Sequence, residues 1–413
     1  MNKKETFEKY ESEVRSYCRV FSEVMTTAKG SIIKDENNKE YVDFFAGAGA
    51  LNYGHNNDYI KEKLIEYLKN DGIIHSLDMF TEAKEDFINY FEKEILEKRN
   101  LNYKIMFTGP TGTNSIEAAL KLARKVKNRS NVFAFMGAFH GMSLGALALT
   151  TDLSSRKGAG VDLNNVTHIP APYMFKNLDV INYIKTILHD DHSGVEKPAA
   201  IVIETVQAEG GVYIFEKKFL KELRELCNEE DILLIIDDIQ VGNARTGKFF
   251  SFENSGIVPD ILTLSKSIGG YGLPFSLTLF KPELDIWSPG EHNGTFRGAQ
   301  LSIVAAKAGL EYMLKENVEK EVERKSKIVK DFLKSINSKN IVDIRGIGLI
   351  WGVEFKSENQ SKQVVTECFK NGLIIERAGR DNVVVKLMPP LVIEDHILLK
   401  GLEILKNSIL KLE

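Results

Sequence analysis

Residues 232–240, ILLIIDDIQ, and residues 260–270, DILTLSKSIGG, decide the fold. Each is a compact aliphatic run that closes on polar side chains: Asp237, Asp238 and Gln240 in the first, Lys266 in the second. Short apolar runs without polar alternation are strands covered on both faces. Such strands, separated by helices, build a mainly parallel sheet. Residues 104–108, 131–136 and 199–204 have the same character. Between them, 115–127 repeats Ile116, Ala119, Leu120 and Ala123 at helical spacing, and 216–229 reads as another helix.

Working outward, residues 31–45 hold two apolar runs around a polar turn at Asn37-Asn38, a hairpin pattern, preceded by a polar helix. Residues 311–335 read as one long charged helix, leading into a smaller α+β segment that ends near Pro389-Pro390. The expected architecture is α/β: one large domain with a mainly parallel central sheet over residues 55–310, and a small α+β domain assembled from residues 1–54 and 311–413.

The 413 residues carry 54 Lys+Arg against 58 Asp+Glu, a net charge of −4, with 27% charged and 43% hydrophobic content. That balance excludes global disorder and offers no field for nucleic acid or an anionic membrane. Cys18, Cys227 and Cys368 lie far apart with no CxxC pair, so no metal site or disulfide framework is expected. The N-terminal residues lack the apolar core of a secretory signal, and no run approaches about 18 apolar residues. A cytoplasmic setting is the expectation.

In an open parallel sheet, ligands collect beyond the carboxyl ends of the strands. Asp237 and Gln240 leave one such strand and Lys266 another. Alone, an acid there is a helix cap or a site residue, and a lysine is a solvated end or a desolvated amine nucleophile. Thr108–Asn114 is a run of small and hydroxyl residues opening a helix, where free N–H groups suit a phosphate or simply cap the helix. Phe139 and His140 follow the strand at 131–136; each reads alone as core or structural. Together, a phosphate cradle with Gly112 and Thr113, an aromatic face, an Asp and a Lys match what pyridoxal 5'-phosphate requires. Neither a GxGxxG after an early strand nor a GxxxxGK[ST] loop is present.

These residues carry a resemblance. IIDDIQVGNARTG, PDILTLSKSIGGYGLP and IVIETVQAEGG resemble the characteristic blocks of the class III aminotransferases, pyridoxal-phosphate enzymes of fold type I. FFAGAGALNYGHNN, FTGPTGTNSIEAALKLARK, AFHGMSLGALALT and PGEHNGTFRG resemble the branch that exchanges the terminal amine of L-2,4-diaminobutyrate with 2-oxoglutarate. Its products are L-aspartate 4-semialdehyde and L-glutamate, as in ectoine biosynthesis. The resemblance implies Lys266 as the lysine that bonds to the cofactor and shuttles the proton. It implies Asp237 at the pyridine nitrogen, Gln240 at the phenolic oxygen, Phe139 on the ring face and His140 among the cofactor-binding residues. Gly112 and Thr113 hold the phosphate, and Thr295 reaches the phosphate of the neighbouring subunit, which makes a homodimer the functional unit. Glu204 resembles the carboxylate that exchanges partners between half-reactions.

Three departures stand out. Ala244 occupies a position where many members have glycine, Ala299-Gln300 replaces Asn-Pro, and Lys386 stands where relatives often place an arginine to grip the substrate carboxylate. Lysine cannot form that planar bidentate clamp. Altered acid recognition keeps other readings open: a transaminase for GABA, ornithine or a similar diamino acid, a semialdehyde aminomutase, or a non-catalytic protein on this fold.

Overall fold

The structure is a computed structural model that describes residues 3–412. Its central sheet has seven strands in the order Lys104–Gly109, Ser276–Phe280, Ile261–Leu264, Leu233–Asp237, Ala200–Ile203, Val132–Phe135 and Val166–Ile169. Six run in the same direction, five of them as parallel neighbours, with Ile235 paired to Ile261 and to Val202. Ser276–Phe280 runs antiparallel to both neighbours. Leu233–Asp237, Ala200–Ile203, Val132–Phe135 and Ile261–Leu264 are buried at every position. That burial is why they contain no polar alternation.

The helix Gly112–Lys127 begins three residues earlier than its apolar spacing predicts. Thr111 caps it, its N–H and hydroxyl both donating to Asn114 Oδ1 at 3.1 and 2.9 Å. Lys217–Glu229 buries Phe219, Leu220, Leu223, Leu226 and Cys227 on one stripe.

Both ends of the chain meet in smaller sheets. Ile32–Asp35 and Glu40–Asp43 form the expected hairpin, with Asn38 left-handed at φ 62°. Leu373–Ile374 adds to it in parallel. Ile341–Ile347, Ile350–Phe355, Val384–Leu387 and Glu376–Ala378 form an antiparallel sheet. Beyond Pro390 the chain continues into a further helix, Asp395–Leu410, which packs on Glu40–Asp43.

The single helix expected over 311–335 is two: Gln300–Lys315 and Val318–Lys334, broken where Asn317 turns left-handed at φ 49°. The first is apolar and wedged against Asp58–Lys69 and Glu82–Phe91, while the second buries a narrow stripe beneath a charged face. Asn tolerates the left-handed conformation that redirects the chain between these two environments. Among the described residues, no helix is long and apolar enough to cross a membrane.

Candidate active site

At the carboxyl ends of the central strands lies a cavity of about 190 Å³ lined by Gly112, Thr113, Phe139, His140, Glu204, Glu209, Asp237, Gln240 and Lys266. Gly141, Ile239 and Val241 complete the lining; eight of the twelve residues are expected from sequence, and Glu209 is the one charged addition. Lys266 leaves Ile261–Leu264 with φ 53°, a left-handed conformation that costs a non-glycine residue about 1–2 kcal/mol. Such strain collects at functional sites. Its amine donates to Ala48 O at 2.9 Å, and burial, reinforced by Lys386 and opposed by Glu209, lowers its pKa. A desolvated amine of this kind is available as a nucleophile and proton carrier.

Ala48 sits in a left-handed turn, Ala46 to Gly49, with φ of 50°, 58°, 56° and 86°. Asp43 Oδ1 holds its entry by accepting from the N–H groups of Phe45 and Ala46, both at 2.8 Å. The turn aims Ala48 O at the cavity, where Gln240 Nε2 also donates to it at 3.0 Å.

Asp237 is buried and its carboxylate is fully engaged. Oδ1 accepts from Ile239 N at 3.1 Å and lies 3.4 Å from Thr263 Oγ1, and Oδ2 meets His140 Nδ1 at 2.7 Å. Burial disfavours a charged His140, but its bond to Asp237 and the charges of Asp237 and Glu204 raise its pKa on balance. An Asp backed by an imidazole presents a fixed negative charge to a ring nitrogen. His140 therefore stands behind Asp237.

The N-terminal turn of Gly112–Lys127 faces the opposite end of the cavity. A Cβ on Gly112 would lie 2.9 Å from Ile239 Cδ1, and one on Gly141 would lie 2.7 Å from Thr113 Oγ1. The space is thus kept clear by glycine beside free N–H groups and the Thr113 hydroxyl, which contacts Ser143 Oγ. These features suit a phosphate. A buried lysine, a held carboxylate, an aromatic wall and an anion cradle at one cavity fit pyridoxal 5'-phosphate.

The remaining expected residues are distributed differently. Glu204 Oε1 accepts from Phe139 N at 3.0 Å, and burial pushes its carboxyl up to about 8, with His140 opposing. Lys386, 0% exposed, meets Glu209 Oε1 at 2.5 Å and Glu376 Oε1 at 3.1 Å. The carboxylate on Lys386 is thus Glu209, five residues beyond Glu204. Val206–Gln207 pairs with Tyr213–Ile214, and the turn between them carries Glu209 to Lys386. The only sequence signal for this is the second acid in ETVQAEGG. Glu376 gives none; it is found only because its strand lies opposite Lys386.

Thr295 lies outside this cavity. It is exposed, its carbonyl accepts from His75 Nε2 at 2.7 Å, and the exposed Phe296 follows it. Ala244 keeps the left-handed conformation glycine would supply, at φ 69°, and delivers Arg245 into the interior. Arg245 is 0% exposed and donates to Asn52 Oδ1 at 2.5 Å, Leu349 O at 2.9 Å and Pro389 O at 2.5 Å. Gln300 replaces proline by donating to Ser76 Oγ at 2.7 Å and Gly298 O at 3.0 Å.

Residues 15–409 match the family model for class III aminotransferases. The diaminobutyrate–2-oxoglutarate transaminase of Halalkalibacterium halodurans is 50% identical over 407 residues, covering 98% of this chain and 95% of the relative. The enzyme of the same name from Streptomyces coelicolor is 49% identical over 409 residues, covering 98% and 97%. The crystal structure of ornithine aminotransferase from Toxoplasma gondii superposes with a TM-score of 0.87 at 25% identity, covering 99% of this chain and 94% of that one. With Lys266, Asp237 and the anion cradle gathered at one cavity of this fold, the chain belongs to the class III aminotransferases.

Proposed function

We propose that the protein catalyses reversible amine exchange between L-2,4-diaminobutyrate and 2-oxoglutarate, giving L-aspartate 4-semialdehyde and L-glutamate, with pyridoxal 5'-phosphate as cofactor. The observation that carries the substrate pair is half-identity, over nearly the whole chain, to relatives bearing that name. The cavity supports the chemistry independently of it. When bound, the cofactor supplies an electron sink that stabilises negative charge beside the reacting amine.

In this reading the protein's residues do the rest. Lys266 would move the proton between donor and acceptor carbons, because burial lowers its pKa and makes its amine readier to shed a proton than a solvated lysine. Asp237, held by Ile239 N and His140, would pair with the pyridine nitrogen of the cofactor. Phe139 covers one ring face. Gly112, Thr113 and the helix N-terminus take the phosphate. Glu204 enters neutral at pH 7, its carboxyl lying against the Phe139 amide. Lys386 receives a carboxylate of 2-oxoglutarate or glutamate, which must displace Glu209 or share the ammonium with it.

The same reading divides the chain into a cofactor-binding domain at 55–310 and a small domain from 1–54 and 311–413. It also makes a homodimer the working unit, acting in the cytoplasm. Exposed Ile73, Ile74, Leu77, Met79, Phe80 and Phe296 near Thr295 support a subunit contact on that face. Ectoine biosynthesis is the matching pathway. The test is turnover of purified protein with diaminobutyrate, ornithine, GABA and lysine against 2-oxoglutarate. Diaminobutyrate leads in kcat/KM; comparable or higher values for another amine would overturn the assignment.

A further inference from the structure

Lys386 supplies one positive charge to a pocket that holds two carboxyl groups. Glu209 comes from the turn after Val206–Gln207, and Glu376 from the strand opposite. Glu376 is 7% exposed, and its paired residue across the strands is Lys386 itself. Lys266 and the N-terminal Tyr17 are the other titratable groups facing this cluster. The neighbouring Arg377 is engaged elsewhere, donating to Glu358 Oε1 at 3.1 Å. With both carboxyls ionised the two acids exceed the Lys386 ammonium by one negative charge, and the remaining nearby amine, Lys266, is committed to the cofactor in the proposed reading. In a desolvated site a third carboxylate on a single ammonium is not tolerated.

The two acids are not equivalent. Glu209 Oε1 accepts aligned hydrogen bonds from Lys386 at 2.5 Å and Gln240 at 3.0 Å. Glu376 Oε1 lies 3.1 Å from the same ammonium but has no aligned donor. Burial and the Glu209 charge raise the Glu376 pKa against the pull of Lys386. Burial acts the same way on Glu209, but there Lys386 and Lys266 override it and the pKa falls. An arginine would bring five donors and a planar edge; lysine brings three donors and one point of charge, so the surplus must be removed chemically.

We propose that Glu376 is the specificity-determining, charge-balancing residue of the acidic subsite: a carboxylate of 2-oxoglutarate or glutamate binds at Lys386 together with one proton from solvent, which resides on Glu376. The bound set is then one ammonium, two carboxylates and a neutral acid. This inference rests on the proposed function of the adjoining cavity, which Glu209 lines. It makes affinity for the dicarboxylate linked to a proton.

The test is the pH profile of KM for 2-oxoglutarate, measured on the wild-type holoenzyme and on Glu376→Gln between about pH 6 and about pH 9. Wild-type KM rises about tenfold per pH unit once Glu376 ionises in the free enzyme, the slope of a single linked proton. In Glu376→Gln, which keeps a neutral acceptor beside Lys386, that slope disappears. KM at about pH 9 falls at least about tenfold, and kcat changes by less than KM. A flat wild-type profile, or an unchanged slope in the variant, overturns the proposal. Calorimetry of glutarate binding to the wild-type holoenzyme, in buffers of different ionisation enthalpy, gives a second reading without mutation. Uptake near one proton at about pH 8.5 supports it, and zero uptake refutes it. The substrate reading fails separately: diaminobutyrate alone then leaves the cofactor absorbance of the wild-type enzyme unchanged in single turnover.

Discussion

Glu204→Gln stabilises the protein, and the gain grows with pH. Glu204 is 6% exposed, and its one hydrogen bond is accepted from Phe139 N, which a glutamine carbonyl also accepts. Its pKa is pushed from 4.5 to about 8 by burial first, with the charge of Asp237 adding and His140 opposing. A carboxyl whose folded pKa is raised makes no pH-dependent contribution below the unfolded value, where both states are protonated. Between the two values the unfolded chain gives up its proton while the fold keeps it, so stability falls. Above the folded value the loss is complete. Each unit is worth about 1.4 kcal/mol, so holding the acid neutral costs roughly 3 kcal/mol at pH 7 and about 5 kcal/mol at full extent. Glutamine carries no such penalty. Thermal melts of both proteins at about pH 5 and about pH 8.5 give nearly equal Tm at the first. At the second, a gap of several degrees opens in favour of the variant. A gap that stays constant or closes as pH rises refutes a neutral Glu204.

Lys266→Ala abolishes turnover and the visible absorbance of bound cofactor, since no other lysine lines the cavity among the described residues; steady-state activity near wild type in this variant sinks the assignment of Lys266. Lys386→Met removes the ammonium that Glu209 and Glu376 share, costing about 3–5 kcal/mol of stability at neutral pH. Because Lys386 helps hold the Glu209 pKa down at about 2, the loss is fully present above pH 4.5 and shrinks as pH falls from there towards about 2, which denaturant titrations at two pH values measure.

Much of the fold is legible in local pattern. Strands such as Leu233–Asp237 are buried throughout, and a buried strand in a parallel sheet has no choice but an unbroken aliphatic run. The antiparallel Ser276–Phe280 is equally buried, and direction leaves no trace in composition. The break at Asn317 was hidden for a different reason. The charged helix Val318–Lys334 and the apolar helix Gln300–Lys315 each keep helical spacing, and one left-handed residue separates them.

The site divides along the same physical line. The residues proposed to act on the cofactor stand at strand exits or a helix start, positions local sequence marks: Asp237 ends its strand, Lys266 follows the end of its own, and Thr113 lies in the first turn of its helix. The residues proposed to answer to the substrate are brought together by long-range pairing. Lys386, Glu209 and Glu376 come from three separate segments, and their relation depends on a strand register and a tight turn. Nothing in ETVQAEGG says which glutamate reaches the lysine. In water the two acids are alike, and only enclosure separates them, leaving Glu204 neutral beside an amide and Glu209 charged beside two amines. Replacing arginine by lysine at 386 is therefore a change in charge accounting for the whole subsite. With fewer donors on the cation, the neighbouring acids must adjust their protonation to the substrate. Recognition of the acid is thereby coupled to pH, while the cofactor chemistry at Lys266 keeps the family's form.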